Sequence, residues 1–325
     1  MRRKSVSYAK YGYIFSIPFV LAFLVFTLYP IVYTLIIGFT DLKGLGKTEI
    51  HFLSDPFANF KDVLSAPSFQ ISLFNTALMW IVNFIPQLAL ALLLAAWFTN
   101  NRIKIKGQGL FKVLIYLPNI ITAATIAILF NSLFAYPKGP INDLLILFGV
   151  LQEPEHFLIQ RWTARFIVSF IQFWMWYGNT MIVLIAGIMG INPTLYEAAE
   201  IDGASNTQKF FLITIPNLRT ILLYTLVTSM IGGLQMFDIP KMFIVGGNGG
   251  PDNATLTTSV FIYNQAFGSS RLYNRASAAS MILFVIIIIL SAILFYVMRD
   301  MDAIKQQKEL RALRKAEKNM RRGRA

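Results

Sequence analysis

The chain has 325 residues, of which 56% are apolar and 14% charged, and it contains no cysteine. This balance is typical of an integral membrane protein, and the lack of cysteine excludes disulfide bonds and thiolate metal sites. The net charge of +13 could suggest a nucleic-acid partner, but the basic residues lie mainly between apolar segments, so we expect membrane lipid and no nucleic acid.

Six segments without a charged residue are long enough, or nearly so, to cross a bilayer. About 20 apolar residues suffice, because a helix of that length spans the roughly 30 Å hydrocarbon core. The predicted fold class is therefore all-α, a polytopic membrane bundle of six transmembrane helices. Around these uncharged runs we place the spans at about 13–38, 71–98, 112–136, 165–190, 217–237 and 276–298, three of which take in a basic residue at or near their first residue.

The chain ends are basic. Residues 1–12 form a short N-terminal segment, the six-span bundle occupies 13–299, and 300–325 form a tail. A cleavable signal peptide is the competing interpretation, but the first apolar run is about twice as long as a signal-peptide core, so we expect an uncleaved span. With the N-terminus inside, the inner segments hold more than twice as many Lys and Arg as the outer ones, which predicts that both termini are cytoplasmic.

Three segments outside the spans carry local signals. The apolar run 142–150 is too short to cross and predicts a short interfacial helix on the outer side. Residues 245–251 contain four glycines and a proline, which predicts tight turns in an outer loop. The sequence 44–48 looks like a phosphate loop, but Asp41 stands where that motif needs glycine. We therefore expect no ATP site in this chain.

The cytoplasmic loop 191–216 departs from the basic pattern of the other inner segments. Its acidic residues are Glu197, Glu200 and Asp202. Asn192 followed by proline predicts the start of a helix, which Gly203 ends or bends. We expect Thr207 to cap a second helical stretch that leads to Pro216, where the fifth span begins. The loop is thus predicted to be a helix-glycine-helix hairpin that docks a protein partner.

This loop resembles the EAA loop of importer permeases of the ATP-binding-cassette class. The matching residues are Glu197, Ala198, Ala199, Asp202, Gly203, Ala204, Ile213 and Pro216. The family usually has Leu before the proline, where this chain has Ile215, a conservative departure. The resemblance implies the type I importer permease fold and a coupling helix held by separate ATPase subunits. It further implies that those subunits bind ATP and Mg²⁺, so this chain has no cofactor and is not an enzyme.

A second resemblance lies in the outer loop. Gly249, Gly250 and Pro251, the segment 255–258 and Tyr263 look like the outer loop of sugar-importer permeases of the maltose-transporter type. The N-terminal half shares little beyond the span count. This resemblance implies import of a sugar or oligosaccharide across a bacterial cytoplasmic membrane. The implied partners are a second homologous permease subunit, two ATP-binding subunits and an extracytoplasmic sugar-binding protein.

Polar and aromatic residues within the spans are candidates for contact with such a substrate. Sugars are held by hydrogen bonds to their hydroxyls and by stacking on aromatic rings. The candidates are Asn119, Gln172, Trp176, Asn179, Gln235, Phe237 and Asp238. Gln172, Trp176 and Asn179 recur at spacings of four and three, so they share one helical face. Hydrogen bonding between helices is the alternative role for any one of them.

Other functions stay open at this point. An ATP-driven permease for a peptide, polyamine or amino acid would share the coupling loop but not the sugar contacts. A secondary transporter would need no ATPase and usually has repeated halves, which the sequence does not show. An integral membrane enzyme would need clustered His and acidic residues, whereas His51 and His156 fall in separate outer loops.

Overall fold

The computed structural model describes residues 9–44, 49–100, 106–243 and 249–298. The basic tail 300–325 and most of the N-terminal segment 1–12 lie outside these residues. So do most of the phosphate-loop lookalike at 44–48 and the first part of the glycine-rich turn at 245–251.

The described chain is almost wholly helical, and its extended pairing consists of a single bridge between Thr40 and Phe52. In chain order the helices are α1 (Lys10–Ile37), α2 (Ala58–Ser65), α3 (Pro67–Phe98), α4 (Gln108–Ile120), α5 (Ala123–Leu133), α6 (Pro140–Leu147), α7 (Arg161–Met189), α8 (Pro193–Ile201), α9 (Asn206–Lys209), α10 (Arg219–Leu234), α11 (Asp238–Met242), α12 (Thr258–Phe267) and α13 (Tyr273–Met298). Five helical stretches in the described ranges are long and apolar enough to cross a membrane, and a sixth crossing results if α4 and α5 form one bent span.

The third predicted span, 112–136, is not one straight helix. The structure instead has α4 and α5, bent by 91° at the break between them. Pro118 lies near the end of α4 and has no backbone N–H to continue the hydrogen-bond ladder. Thr122 then starts a new helix, because its hydroxyl accepts the backbone N–H of Thr125 at 3.3 Å. The chain therefore turns sharply inside what the hydropathy pattern marks as a single segment.

The centre of the bundle is formed by α3 and α7. Half of the most apolar stretch of α7 is buried, and Met181 and Leu184 on it pack with Ala91 and Ala95 of α3. The helix α4 crosses α7 at Gly178, where an added Cβ would lie 2.2 Å from the carbonyl oxygen of Ile115. A small residue at such a crossing lets two backbones approach closely. Both α3 and α4 therefore pack directly against α7.

The first helix stands apart from this core. Only 6% of the most apolar stretch of α1 is buried within the chain, compared with 50% for α7. Its C-terminal end is fixed, since Ile37 is buried and Asn59 Nδ2 donates to the carbonyl oxygens of Gly38 and Thr40 at 2.8 and 2.9 Å. Most of α1 therefore presents apolar side chains to whatever surrounds this chain.

The loop between α11 and α12 is tied to the bundle by two buried polar side chains. Asn75 Nδ2 donates to the carbonyl oxygens of Asn253 and Leu256 at 2.7 and 3.0 Å. Arg165 Nη2 donates to Asn75 Oδ1 at 2.7 Å, and its Nε donates to the carbonyl oxygen of Ala254 at 3.1 Å. These bonds replace the water that the buried groups would otherwise need, so they hold the loop against α3 and α7.

Candidate translocation cavity and coupling hairpin

A cavity of about 440 Å³ lies between α3, α7, α10 and the start of α11. Six of the seven residues predicted to contact substrate line it. They are Gln172, Trp176, Asn179, Gln235, Phe237 and Asp238. Asn119 lies near the C-terminal end of α4, half-buried and outside this lining. The structure thus brings together most of the predicted set and leaves Asn119 apart, while their contact with a solute stays a prediction.

The α7 side of the cavity is built by helical periodicity. Because α7 is a continuous helix, Gln172, Trp176 and Asn179 fall on one face and line the cavity together. Met175, next to Trp176, also lines the cavity, whereas Gly178 is buried and lies outside the lining. Neither amide, Gln172 nor Asn179, has a hydrogen bond to another residue in the described part of the chain. Their donors and acceptors are free to face the cavity.

The α3 side of the cavity was missed by reasoning from the sequence. Trp80, Asn83 and Gln87 line it, and their spacings of three and four are the signal that could have revealed them. Two of these side chains already have partners across the bundle. Gln87 Nε2 donates to Thr180 Oγ1 at 2.7 Å, and Trp80 Nε1 donates to Ser229 Oγ at 3.3 Å. Gln87 and Trp80 therefore line the cavity and also hold α3 against α7 and α10.

The α10 side consists mainly of hydroxyl-bearing and small residues. The lining residues from this helix are Tyr224, Thr225, Thr228, Ser229, Gly232 and Gly233. Thr228 Oγ1 donates to the carbonyl oxygen of Tyr224 at 2.8 Å, whereas the buried Thr225 Oγ1 has no hydrogen-bond partner among the described residues. The cavity wall therefore combines amides, hydroxyls and aromatic rings, the groups that bind a polyhydroxylated ligand.

The hairpin 191–216 has the predicted helix-glycine-helix form. Asn192 Oδ1 caps α8 by accepting the backbone N–H of Thr194 at 3.1 Å. Gly203 follows α8 with a φ of +76°, in the left-handed region that glycine adopts readily. The expected cap at Thr207 is wrong, because Ser205 caps α9 through a reciprocal capping box with Gln208. Thr207 instead lies inside the first turn of α9.

Three interactions brace the hairpin from within. Lys209 Nζ lies 2.6 Å from Glu200 Oε1, and the hydroxyl oxygens of Tyr196 and Thr214 are 2.9 Å apart. The backbone N–H of Ala204 donates to the carbonyl oxygen of Ala199 at 2.8 Å. The Lys209 side chain is only 10% exposed and that of Glu200 is 41% exposed, so the ammonium end of this ion pair is shielded from solvent and the carboxylate end is not. The two arms are therefore held as one rigid unit.

The residues that match the EAA pattern divide by exposure. Those exposed are Glu197, Ala198, Asp202, Gly203 and Pro216, and those half-buried are Ala199, Ala204 and Ile213. Pro216 lies in a helical turn that ends before Leu218, after which α10 begins. Large apolar side chains are exposed beside them, with Ile201 at 87%, Leu212 at 72% and Phe211 at 60%. An exposed patch of this kind is typical of a surface that binds another protein or lipid.

The glycines of the loop between α11 and α12 shape its turn. Gly249 is buried and its carbonyl oxygen accepts the backbone N–H of Thr255 at 2.8 Å. Gly249 and Gly250 have φ values of +103° and +67°, and Pro251 opens a single 3₁₀ turn. The loop they shape packs on α3 through Asn75, as described above, and it leads into α12 beside Phe237, whose ring centroid lies 5.2 Å from that of Tyr263.

The sequence matches a known protein family over most of its length. Residues 63–302 match the family model described as the binding-protein-dependent transport system inner membrane component. The chain belongs to this family. It is accordingly a multi-pass protein of the cytoplasmic membrane, and it has the type I importer permease fold.

Curated members of the family are similar along most of their length. The lactose transport system permease protein LacF of Rhizobium radiobacter is 33% identical over 89% of this chain and 94% of its own length. The arabinooligosaccharides transport system permease protein AraP of Bacillus subtilis (strain 168) is 31% identical over 86% of both chains. A crystal structure of a bacterial alginate transporter, in complex with an alginate pentasaccharide-bound periplasmic protein, matches with a TM-score of 0.74 and 25% identity, covering 88% of this chain and 93% of that one.

Proposed function

We propose that the chain is a permease subunit of an ATP-driven importer that carries a sugar or oligosaccharide across the cytoplasmic membrane. The observation that carries this proposal is the cavity between α3, α7 and α10. The free amides of Gln172 and Asn179 flank the half-exposed ring of Trp176. A polyhydroxylated solute needs amides and hydroxyls for hydrogen bonds and an aromatic face for its apolar side. The names of LacF and AraP are consistent with such a solute.

In this proposal the six lining residues predicted from the sequence contact the solute as it passes. Gln172, Asn179 and Gln235 supply hydrogen bonds, and Trp176 and Phe237 supply stacking surfaces. A transport site must release its solute, so a wall whose polar groups are all neutral except Asp238, each with modest affinity, suits the task.

The energy for transport would come from separate ATPase subunits, which would bind ATP and Mg²⁺. The hairpin is suited to transmit their motion because Lys209 and Glu200, together with Tyr196 and Thr214, make it rigid. Its exposed face carries Glu197 and Asp202 next to the apolar Ile201, which gives a partner both charge and apolar area to bind. Movement of this unit would rock α10 and α7 and open the cavity to one side.

The other proposed partners are a second, homologous permease subunit and an extracytoplasmic sugar-binding protein. The exposure of α1 supports the first, because an apolar helix with so little of its surface covered by its own chain has area available for another subunit. The periplasmic protein named in the alginate transporter complex supports the second. With both termini cytoplasmic, as the distribution of basic residues predicts, the loop at Gly249–Pro251 faces the binding protein and the hairpin faces the ATPases.

The test of this proposal is a charge reversal at the hairpin. Glu197→Lys should leave the protein in the membrane but abolish assembly with the ATPase subunits and ATP-driven uptake, and Gly203→Pro should do the same, because proline cannot adopt a φ of +76°. The matched control is Glu153→Lys, an equal charge change at an exposed residue of the segment between α6 and α7. Normal assembly and uptake in both hairpin variants would contradict the proposal.

A further inference from the structure

The cavity lining is unbalanced in charge. It contains one carboxylate, Asp238, and no Lys, Arg or His among the described residues that form it. The remaining polar groups are neutral amides and hydroxyls. A neutral solute and an anionic solute would therefore experience very different electrostatic fields in this part of the path.

The carboxylate of Asp238 is not neutralised by its own chain. It makes no hydrogen bond or ion pair with any described residue, and the residue is exposed to the cavity space. The cation on the same short helix, Lys241, is engaged elsewhere. Its Nζ donates to Asn264 Oδ1 at 2.8 Å and lies 4.8 Å from the centre of the Tyr263 ring. Lys241 is thus held toward α12 by these contacts.

An uncompensated carboxylate acts differently on the two classes of saccharide. It accepts hydrogen bonds from sugar hydroxyls, and such charge-assisted bonds are stronger than neutral ones. It repels the carboxylate of a uronic acid, and this repulsion is large in a confined space where the effective dielectric constant is well below that of water. No cationic side chain in the described wall offsets the repulsion.

We propose that this cavity selects uncharged saccharides and rejects those that carry a carboxylate, with Asp238 as the residue that discriminates. The inference rests on the proposed function, since it concerns the solute of the same cavity. It goes further by assigning a charge class to that solute and by giving one residue the role of excluding the other class.

The test measures binding to the assembled transporter in nanodiscs, without the binding protein, so that selection upstream does not enter. The probes are three pairs of trisaccharides based on glucose, galactose and mannose, each pair consisting of the neutral sugar and its 6-uronate form. Dissociation constants are followed by tryptophan fluorescence, because Trp176 is part of the cavity wall. The Asp238→Asn variant removes the charge with little change of shape. Asp143→Asn, an exposed carboxylate on α6 outside the cavity lining, is the matched control.

The expected result is that every neutral trisaccharide that binds does so at least about tenfold more tightly than its uronate form. Asp238→Asn should narrow this ratio by at least about fivefold, and Asp143→Asn should leave it unchanged. Uronates that bind as well as their neutral forms, or a ratio unaffected by Asp238→Asn, would overturn the inference while leaving sugar transport intact. Failure of all six probes to bind would instead overturn the proposed function.

Discussion

Ile201, at the end of α8, offers a quantitative test of the hairpin as a docking surface. Its side chain is 87% exposed in this chain, so shortening it should scarcely affect the fold. If a partner covers it, Ile201→Ala removes three buried carbon atoms from the interface. At about 0.8 kcal/mol per buried CH₂ this weakens binding by about 2.4 kcal/mol. A difference of that size corresponds to about a 50-fold higher dissociation constant for the ATPase subunits.

The assay is binding of the purified ATPase subunit to the permease in nanodiscs, measured for wild type, Ile201→Ala and Ile201→Val. The valine variant loses one carbon atom, so its dissociation constant should rise by about fourfold. The thermal unfolding midpoint of the permease alone should be the same in all three proteins. If Ile201→Ala binds the ATPase within twofold of wild type, Ile201 is not part of the interface and the docking surface is misassigned.

Three further predictions concern the packing of the chain. Gly178→Ala should destabilise the protein by about 1–3 kcal/mol through overpacking, because the added Cβ would meet the Ile115 backbone. Gly232→Ala is the control, since a Cβ added there has no neighbouring atom within 4 Å and should not destabilise the protein. Unfolding of the two variants in detergent compares their stabilities. Gly203→Ala should cost about 1–2 kcal/mol at its positive φ and speed hydrogen exchange at the Ala204 amide. Arg165→Met should remove the donor to the Asn75 and Ala254 oxygens and lower the free energy of unfolding by about 2–3 kcal/mol. It should also accelerate proteolysis of the loop 249–257.

The long helices could be predicted from the sequence because an uncharged run of sufficient length has few alternatives in a membrane. The break in the third span could not. Pro18 and Pro86 lie inside α1 and α3 without dividing those helices, so the presence of Pro118 alone does not predict a 91° bend. The bend also involves the cap at Thr122 and the close crossing of α4 over α7 at Gly178. The crossing depends on tertiary contacts, which the local sequence does not specify.

The candidate cavity was predictable along α7 and at the junction of α10 and α11, where Gln235, Phe237 and Asp238 lie. The spacing of Gln172, Trp176 and Asn179 places them on one face of α7 whatever the rest of the fold does. Which face of α3 or α10 opposes them depends on how the helices pack, so Gln87 and Thr228 could not be assigned to the same cavity. Asn119 was selected for its polarity and its place within the third predicted span, and neither property distinguishes a cavity wall from the end of a helix.

The hairpin shows how far local patterns extend. The helix start at Asn192 and the helix end before Gly203 each depend only on neighbouring residues in the sequence, so both could be predicted. The second cap was misplaced by two residues because Ser205 and Gln208 satisfy the capping box better than Thr207 does. The ion pair between Lys209 and Glu200 depends on the fold of the hairpin itself.

Dependence of transport on separate ATPase subunits is tested by uptake into two preparations of proteoliposomes. One contains this chain, its partner permease, both ATPase subunits and the binding protein, and the other lacks only the ATPases. A panel of radiolabelled neutral saccharides serves as the solutes. We expect ATP-dependent accumulation of at least one saccharide in the complete preparation and none above equilibration in the other. Concentration of a solute by vesicles without the ATPase subunits would contradict this expectation.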